Sequence, residues 1–366
     1  MYKWRIILHH SSAIVYRQEY VMKRLSMLIV LAGIISLVVF FTITKNDNEI
    51  HLAAVGDILL ARDVEKRMEE EGLDYPYRQI KEFISEKDIV FGNLENPIYE
   101  GNNPACKDSD LIFKAKIANA VELREAGFTV LNLANNHTMD HQEVGLVSTM
   151  KALQDNGIDY IGSGFSYDEA RKPLVIDHKG VKIGFLGYST FQHEDVNFQD
   201  KADICRVSAE IGSEIEKAKT KCDFLVVTVH WGNEFHFYPS ENQISLAHTI
   251  IDSGADIILG HHPHVLQGIE RYNDRFIFYS LGNFVFDRQI QKGTDESIIL
   301  DLVIKDKAIN DIRLIPVKII DCQPTLAAED VARGILERLQ KYSEGLGVDY
   351  KFDSGNNELS IKINSR

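Results

Sequence analysis

Residues 256–264 contain the stretch that decides the fold, Asp-Ile-Ile-Leu-Gly-His-His-Pro-His. A short branched apolar run ends at Gly260, and three of the next four residues are histidines. Such a run, bounded by glycine and polar residues, predicts a buried strand of a parallel sheet. The histidines then lie beyond the carboxyl end of the strand, where open α/β sheets bind their ligands. The stretch therefore predicts an α/β protein with a polar site at one sheet edge.

Four further apolar runs end in polar clusters in the same way. The runs are residues 51–55, 88–91, 129–133 and 224–229. The clusters after them are Gly56-Asp57, Gly92-Asn93-Leu94-Glu95, Ala134-Asn135-Asn136-His137-Thr138-Met139-Asp140 and His230-Trp231-Gly232. Because parallel strands end at a common edge, we expect these polar side chains to converge on one site.

Helical segments alternate with the predicted strands, and two stretches are rich in strands alone. A β-hairpin is predicted within residues 173–188, and strands dominate after Gly268. This arrangement predicts two packed sheets flanked by helices, that is, a four-layer αββα sandwich. The predicted helices are residues 62–71, 77–86, 118–126, 141–156, 209–219, 241–253 and 327–343.

The clusters supply the donor atoms of a hydrolytic metal centre. Carboxylate oxygens and imidazole nitrogens suit manganese, zinc or iron, and a shared carboxylate can bridge two ions. Taken singly, each residue also has a structural interpretation. Asp57 could cap a helix, Glu95 could be a solvated loop residue, and His230 could be a hydrogen-bonded core histidine. Their joint occurrence favours one or two divalent ions, with the predicted ligands Asp57, Glu95, Asn136, His230, His262 and His264.

Three more residues are expected to assist this centre. His137 is placed to donate a proton to a leaving group. Asp140 could orient that imidazole through a hydrogen bond, or cap the following helix. Asn93, next to the predicted ligands, is expected to support them. The ring of His261 should point away from His262 if the strand continues through both.

The N-terminal segment differs in kind from the rest of the chain. Residues 25–44 are twenty consecutive residues without a charge, a length that suits a transmembrane helix better than a buried core helix. Five Lys or Arg residues precede the span and only Lys45 follows it closely, so the positive-inside rule predicts export of everything after Lys45. We expect a cytosolic leader at residues 1–24, with the true start at Met22, and an uncleaved signal anchor at residues 25–44.

The charge balance restricts the partners. Residues 1–45 carry a net charge of +5, which leaves −19 on the remainder of a chain whose total is −14. An acidic domain lacks the basic patch that nucleic-acid binding requires, so a polyanionic substrate would need a bound cation. The four cysteines are far apart and form no Cys-x-x-Cys motif, which argues against a zinc knuckle. Cys205 and Cys222 are the favoured disulfide on sequence proximity.

The motifs together resemble the poly-γ-glutamate capsule protein CapA family, which is related to the calcineurin-like metallophosphoesterases. Besides the clusters above, the resemblance rests on Asn96-Pro97, Val265 and Ser280-Leu281-Gly282-Asn283-Phe284, and it covers residues 50–290. It implies that Asp57 and His264 hold one metal, with Asn136, His230 and His262 on the other and Glu95 between them. The usual Asp-x-His of the first strand is Asp57-Ile58-Leu59 here, and the bridging Asp is replaced by Glu95. Both departures favour a single-metal site or an exchangeable second ion.

The resemblance implies a membrane-tethered component of capsule synthesis or export that acts beside capsule synthase membrane subunits. We expect a fold domain at residues 50–320 and a C-terminal helix and strand extension at residues 321–366. Three functions remain open: a capsule-assembly protein, a secreted metal-dependent phosphoesterase, and a non-catalytic module that binds polyglutamate or another polyanion. All three place the domain outside the cell, attached by one helix.

Overall fold

The structure is a computed structural model that describes residue 27 and residues 48–105, 107–191, 201–353 and 358–363. The chain forms two compact units, Met1–Glu49 and Ile50–Arg366. Apart from Met27, the predicted anchor at residues 25–44 lies outside the described residues. Within the described part of the chain, every helix is too short or too polar to cross a bilayer.

The second unit is built mainly from strands. The central strands are buried along their whole length, as expected for branched apolar runs covered on both faces. In the described residues the strands are β1 (Ile50–Ile58), β2 (Ile89–Leu94), β3 (Val130–Asn132), β4 (Asp159–Ile161), β5 (Ser163–Gly164), β6 (Leu174–His178), β7 (Val181–Ser189), β8 (Asp203–Ile204), β9 (Phe224–His230), β10 (Ile257–His261), β11 (Ile269–Tyr272), β12 (Arg275–Phe278), β13 (Asn283–Val285), β14 (Glu296–Lys305), β15 (Ala308–Ile320), β16 (Gln323–Leu326), β17 (Tyr350–Asp353) and β18 (Glu358–Ile361).

The helices of this unit alternate with the parallel strands. Short 3₁₀ turns at Tyr75–Tyr77 and Ser109–Leu111 add to them. Over the described residues the α-helices are α1 (Asp63–Glu71), α2 (Lys81–Ser85), α3 (Asn119–Ala126), α4 (Gln142–Asp155), α5 (Tyr167–Ala170), α6 (Ile211–Lys219), α7 (Glu241–Asp252) and α8 (Glu329–Tyr342).

Two large sheets carry the fold. As far as the described residues extend, the larger sheet has ten strands in the order β17-β18-β15-β14-β1-β2-β3-β4, with β13 paired to β1 and β16 to β15. The smaller sheet has six, in the order β11-β12-β10-β9-β7-β6. Strands β1 to β4 are mutually parallel, as are β7, β9, β10 and β12. The carboxyl ends of these parallel strands form the edges that carry the site.

Apolar side chains from both sheets form one core between them. Phe91 of β2 stacks on Phe185 of β7, with ring centroids 6.2 Å apart, inside a cluster that joins both sheets. The outer face of the larger sheet packs against α1 to α4, and that of the smaller sheet against α6 and α7. The layers are therefore helix, sheet, sheet, helix, and the predicted mixed α/β class is confirmed.

The C-terminal region is part of the same unit. Strand β18 pairs with β15 at Arg313 and Leu314, while α8 contributes Ile335, Leu336 and Leu339 to the core between the sheets. Residues 321–366 thus supply β16, α8, β17 and β18 to the sandwich, as far as they are described.

The helices and the hairpin predicted for the second unit agree with the structure, but the predicted disulfide does not. Each predicted helix is present within a few residues of its expected bounds, and the predicted hairpin is β6 and β7. The predicted disulfide is wrong because Cys205 and Cys222 are both free. The Cys205 side chain is buried against α6 and its sheet, whereas Cys222 Sγ lies 3.6 Å from the carbonyl oxygen of Ala218 at the end of α6. Nearness in sequence did not imply facing side chains.

Gly56 provides a test of how tightly β1 and β13 fix the site. A Cβ at Gly56 would lie 1.9 Å from the carbonyl oxygen of Gly282, which accepts a hydrogen bond from the Asp57 amide at 3.0 Å. We expect Gly56→Ala to lower the free energy of unfolding by about 1–3 kcal/mol, as overpacking does. Urea denaturation measures this change.

Gly334→Ala is the matched control. There a new Cβ meets only the flexible end of Arg338, at 3.3 Å, so helix propensity should leave stability unchanged or raise it by up to about 1 kcal/mol. Equal effects from the two substitutions would contradict the proposed close approach.

Candidate metal centre

Five of the six predicted ligands meet where parallel strands of the two sheets end side by side. Asp57 lies in β1 and Glu95 directly after β2, both in the larger sheet. His230 ends β9, and His262 and His264 follow β10, in the smaller sheet. All five are buried, with exposed fractions between 0% and 7%. The ligands therefore lie at the carboxyl ends of parallel strands that belong to both sheets.

The donor atoms of these residues are close enough to share metal ions. In the described part of the chain, three groups have donor atoms that all lie within 4.8 Å of one another. Glu95 belongs to two of them, which is the position expected for a bridging carboxylate. The groups are Asp57, Glu95 and His264; Glu95, His230 and His262; and Glu234, His262 and His264.

Asp57 is the best-supported carboxylate of the site. Its Oδ1 accepts a hydrogen bond from Asn93 Nδ2 at 2.8 Å and lies 3.2 Å from His261 Nδ1. Its Oδ2 accepts from the backbone amide of His262 at 3.2 Å and lies 3.4 Å from His264 Nδ1. Burial opposes the ionisation of Asp57, but His261 and His264 outweigh it and hold its pKa well below the usual value.

Glu95, in contrast to Asp57, has no hydrogen-bond support for its carboxylate. It is fully buried, yet neither carboxylate oxygen has a hydrogen-bond partner. Oε1 faces His230 Nε2 at 3.4 Å and His264 Nε2 at 3.8 Å. Burial and the neighbouring charge of Asp57 raise the pKa of Glu95 well above its usual value. A buried carboxylate without donors is costly unless a cation compensates it.

Asn136 completes the predicted ligand set. Its Oδ1 lies 2.8 Å from His230 Nε2, so its amide oxygen faces the same space as Glu95. Burial holds the pKa of His230 well below its usual value and, helped by the nearby His264, lowers that of His262 to about 3. Both imidazoles are thus neutral at physiological pH, which is the form that binds metals.

His264 has a different electrostatic environment. Burial opposes its protonation, but Glu95 and Asp57 outweigh burial and raise its pKa to about 9. Its Nδ1 donates a hydrogen bond to Asn283 Oδ1 at 2.9 Å, which leaves Nε2 facing Glu95. A bound cation would take over the charge that this proton supplies.

The backbone explains how both rings of His262-Pro263-His264 reach one centre. His262 has φ 96° and His264 has φ 57°, values that non-glycine residues adopt rarely. The strand therefore ends at His261, and side chains no longer alternate between faces. Because the strand ends at His261, the condition for opposite orientations of the His261 and His262 rings does not hold, and His261 Nδ1 also faces Asp57.

His137 lies beside the ligands with a partner of its own. Its Nδ1 lies 3.0 Å from Asp140 Oδ2 and 3.3 Å from Lys107 Nζ, and Lys107 also pairs with Asp140. Since the carboxylate can only accept, Nδ1–H donates to Asp140 and Nε2 remains for a substrate. Burial lowers the pKa of His137, and Asp140 partly offsets this.

Asn93 links the larger sheet to the ligands. Besides donating to Asp57, it accepts through Oδ1 from Asn132 Nδ2 at 2.8 Å and from Asn135 Nδ2 at 3.2 Å. Asn135 also donates to the carbonyl oxygen of Leu94 at 2.8 Å. These buried amides hold the ends of β1, β2 and β3 in fixed relation.

A cavity of about 280 Å³ adjoins the ligands. It is lined by His137 and His264, by the charged residues Arg62, Arg288, Glu234 and Asp287, and by further side chains that include Phe113 and Phe286. Its position gives a substrate access to His137 and to the candidate metal ligands.

The sequence interpretation missed several residues of this site. Glu234 lies in a loop after β9, and Lys107 lies in the loop between β2 and the 3₁₀ turn at Ser109–Leu111. Neither follows an apolar run directly, so the strand-end rule could not find them. Arg62 lies close in sequence to the Gly56-Asp57 cluster, but only the fold shows that it lines the cavity.

The donor set fits a divalent cation. Two buried carboxylates, two neutral imidazoles and an amide oxygen converge, and both oxygens of Glu95 lack donors. Mixed oxygen and nitrogen donors of this kind suit manganese, zinc or iron. The fold and site thus define a mixed α/β protein with a candidate divalent-metal centre at the shared sheet edge.

Comparison with known proteins gives the family. Residues 51–288 match the family described as bacterial capsule synthesis protein PGA_cap, and the chain belongs to this family. The capsule biosynthesis protein CapA of Bacillus anthracis is 32% identical over 332 residues, which are 88% of this chain and 80% of that protein. The PGA biosynthesis protein CapA of Bacillus subtilis (strain 168) is 34% identical over 290 residues, 78% and 76% of the two chains. The resemblance inferred from the motifs is confirmed.

Solved structures are more distant. A hypothetical protein from Thermus thermophilus aligns with 74% of this chain and 99% of its own, at 16% identity and a TM-score of 0.46. A score at this level supports no functional inference.

Metal content tests the centre directly. We expect the purified full-length protein to bind about one or two equivalents of Mn, Zn or Fe, the range for a site with one or two ions. His262→Ala combined with His264→Ala should abolish binding, because each of the three donor groups loses a ligand. Metal analysis measures the content, and a metal-dependent rise in melting temperature should occur only in proteins that bind.

His178→Ala is the control, since His178 pairs with Asp88 away from the site at 2.9 Å. Wild-type protein that stays metal-free with all three ions would refute the centre, as would a double variant with undiminished metal content.

Proposed function

We propose that the protein acts in poly-γ-glutamate capsule synthesis or export and that its edge site holds one or two divalent ions, Mn, Zn or Fe. The relatives named above support the process, because both carry capsule or PGA biosynthesis in their names. The single observation that carries the metal proposal is Glu95, a fully buried carboxylate without hydrogen-bond donors that faces two imidazoles.

We assign the ligands to two ions as the family resemblance implies. Asp57 and His264 would hold one ion, while Asn136, His230 and His262 would hold the other. Glu95 would bridge the two, since it belongs to both of the corresponding donor groups. A bound divalent cation would polarise a carbonyl or phosphoryl group of the substrate.

The chain's own residues would handle the proton. Asp140 fixes the tautomer of His137, and Phe113 stacks on the ring at 4.3 Å between centroids. In the imidazolium form, which carries a proton on both nitrogens, Nε2 would deliver its proton to the leaving group and leave the neutral Nδ1–H tautomer. Lys107 beside Nδ1 favours release of that proton, because a neighbouring positive charge disfavours the imidazolium.

A metal-dependent phosphoesterase is the second candidate. Arg62, which lines the cavity with His137 and His264, favours it because guanidinium groups bind phosphate oxygens well. The third candidate is a non-catalytic module that binds a polyanion through the bound cation. It differs from the others in giving His137 no role.

We also propose that residues 25–44 anchor the protein in the membrane with residues 50–366 outside the cell, beside capsule synthase membrane subunits. The charge-free span and its basic N-terminal flank support this orientation. Protease added to cells stripped of their wall should digest the second unit and leave a cell-associated N-terminal fragment. Full protection of that unit would exclude the orientation, and a mature N-terminus beyond Thr44 would exclude the anchor.

His137→Ala separates the three functions. Since His137 belongs to none of the three donor groups, the variant should keep its metal. Loss of a general acid should lower the rate by about 10²- to 10⁴-fold. Polymer yield in cells and hydrolysis of a phosphoester panel by purified protein provide the readouts.

The His262→Ala and His264→Ala double variant completes the comparison. A catalytic site requires both variants to lose function, and loss of polymer or of phosphoester hydrolysis identifies the reaction. A binding module predicts that only the double variant loses polymer. Normal polymer yield and no hydrolysis in wild type and both variants would show that the site is dispensable.

A further inference from the structure

Arg62 occupies an unusual position at the cavity. It lies just before α1 with φ 57°, a conformation that costs a non-glycine residue free energy and persists only when neighbours enforce it. Asp287 provides that enforcement: its Oδ1 accepts a hydrogen bond from Arg62 Nη2, and its Oδ2 accepts from the Asp63 amide at 3.0 Å. Asp287 is buried, so its two hydrogen bonds hold the Arg62 side chain and the start of α1 in place.

The guanidinium is held between two aromatic rings. Arg62 Cζ lies 4.7 Å from the ring centroid of Phe113 and 5.4 Å from that of Phe286. Each ring also contacts a site histidine: Phe113 stacks on His137 at 4.3 Å, and Phe286 meets His264 at 4.9 Å. One aromatic ring therefore separates the charge of Arg62 from the proposed proton donor His137, and another separates it from the proposed metal ligand His264.

In this position, the Arg62 guanidinium retains a hydrogen-bond donor without a partner. Arg62 Nε is buried without a hydrogen-bond partner, and among the described residues the only ion pair of Arg62 is with Asp287. Arg288, half exposed, also lines the cavity, where it lies 3.6 Å from Asp63 and 3.8 Å from Asp287. Since Glu234 and Asp287 line the same cavity, it is the donor geometry of Arg62, and not net charge, that favours an anionic ligand.

We propose that Arg62 is the anchor of an oxyanion subsite that adjoins the metal centre and selects substrates by a charged group next to the reacting bond. Under the proposed function, on which this choice rests, the oxyanion is the free carboxylate that each γ-linked glutamyl unit carries. A phosphoester would present the same chemistry through its phosphate oxygens. The planar guanidinium suits either group, because two of its N–H donors match two oxygens.

Ligand binding tests the subsite without a turnover assay. Calorimetry on the full-length, Mn-loaded protein compares a γ-glutamyl oligomer with the same oligomer whose free carboxylates are converted to carboxamides. We expect wild type to prefer the acidic oligomer by about tenfold or more, a difference of about 1.4 kcal/mol. In Arg62→Gln the preference should fall to near unity, and Arg62→Lys should retain only part of it because Lys lacks the planar fork.

Two controls keep the result interpretable. Arg67→Gln changes an exposed arginine of α1 that pairs with Glu70 and Asp321, and it should leave the preference intact. Arg62→Gln leaves Asp287 buried without its main partner, so Arg62→Gln with Asp287→Asn removes both charges together. This double variant should also lose the preference.

The outcomes separate the subsite from the proposed function. An undiminished preference in Arg62→Gln or in the double variant overturns the subsite, and so does the absence of binding by every anion tried. Arg62-dependent binding of a phosphomonoester without binding of the glutamyl oligomer supports the subsite and overturns the capsule substrate. Arg62-dependent binding of the acidic oligomer supports both.

Discussion

The site depends on two carboxylates that are buried side by side and compensated unequally. Asp57 has amide and imidazole partners on both oxygens, whereas neither oxygen of Glu95 accepts a hydrogen bond. Two neighbouring buried carboxylates cannot both ionise without positive charge nearby. Because burial keeps His230 and His262 neutral, that charge must come from the proton on His264 or from a metal.

The support around the carboxylates is made from neutral groups. Asn93, Asn132 and Asn135 connect the ends of three strands through side-chain amides, and Asn283 holds His264 from the opposite side. Amides add donors and acceptors without adding charge, so they fix geometry while leaving the electrostatic balance to the ligands. Such preorganisation is what a metal centre requires of its surroundings.

Much of this arrangement could be predicted from the sequence because strands impose a simple rule. Apolar runs locate buried strands, parallel strands end at a common edge, and Asp57, Glu95 and His230 stand where those runs stop. The helices followed from the same alternation. The family resemblance then supplied the assignment of ligands to two ions, which strand ends alone could not give.

The remaining features depend on backbone geometry and on distant packing. His262 and His264 both reach the site because positive φ at each of them ends the alternation of side chains after β10, and nothing in the local pattern signals those angles. Lys107, Arg62 and Glu234 reach the site from loops whose course is set by the whole fold. Cys205 and Cys222 are close in sequence, yet the orientation of α6 decides what their side chains meet.

The pairing of β1 has a consequence for the order in which the chain becomes structured. Ile50 pairs with Ile304, and Ala54 with Leu300, so the first strand of the sandwich is completed by a partner made about 250 residues later. Contacts this distant in sequence require a large loop to close before they contribute, which slows folding. During synthesis from the N-terminus, β1 therefore waits with one long edge unpaired. The nascent protein is most vulnerable to aggregation in this interval, and assistance from a chaperone would have its largest effect there.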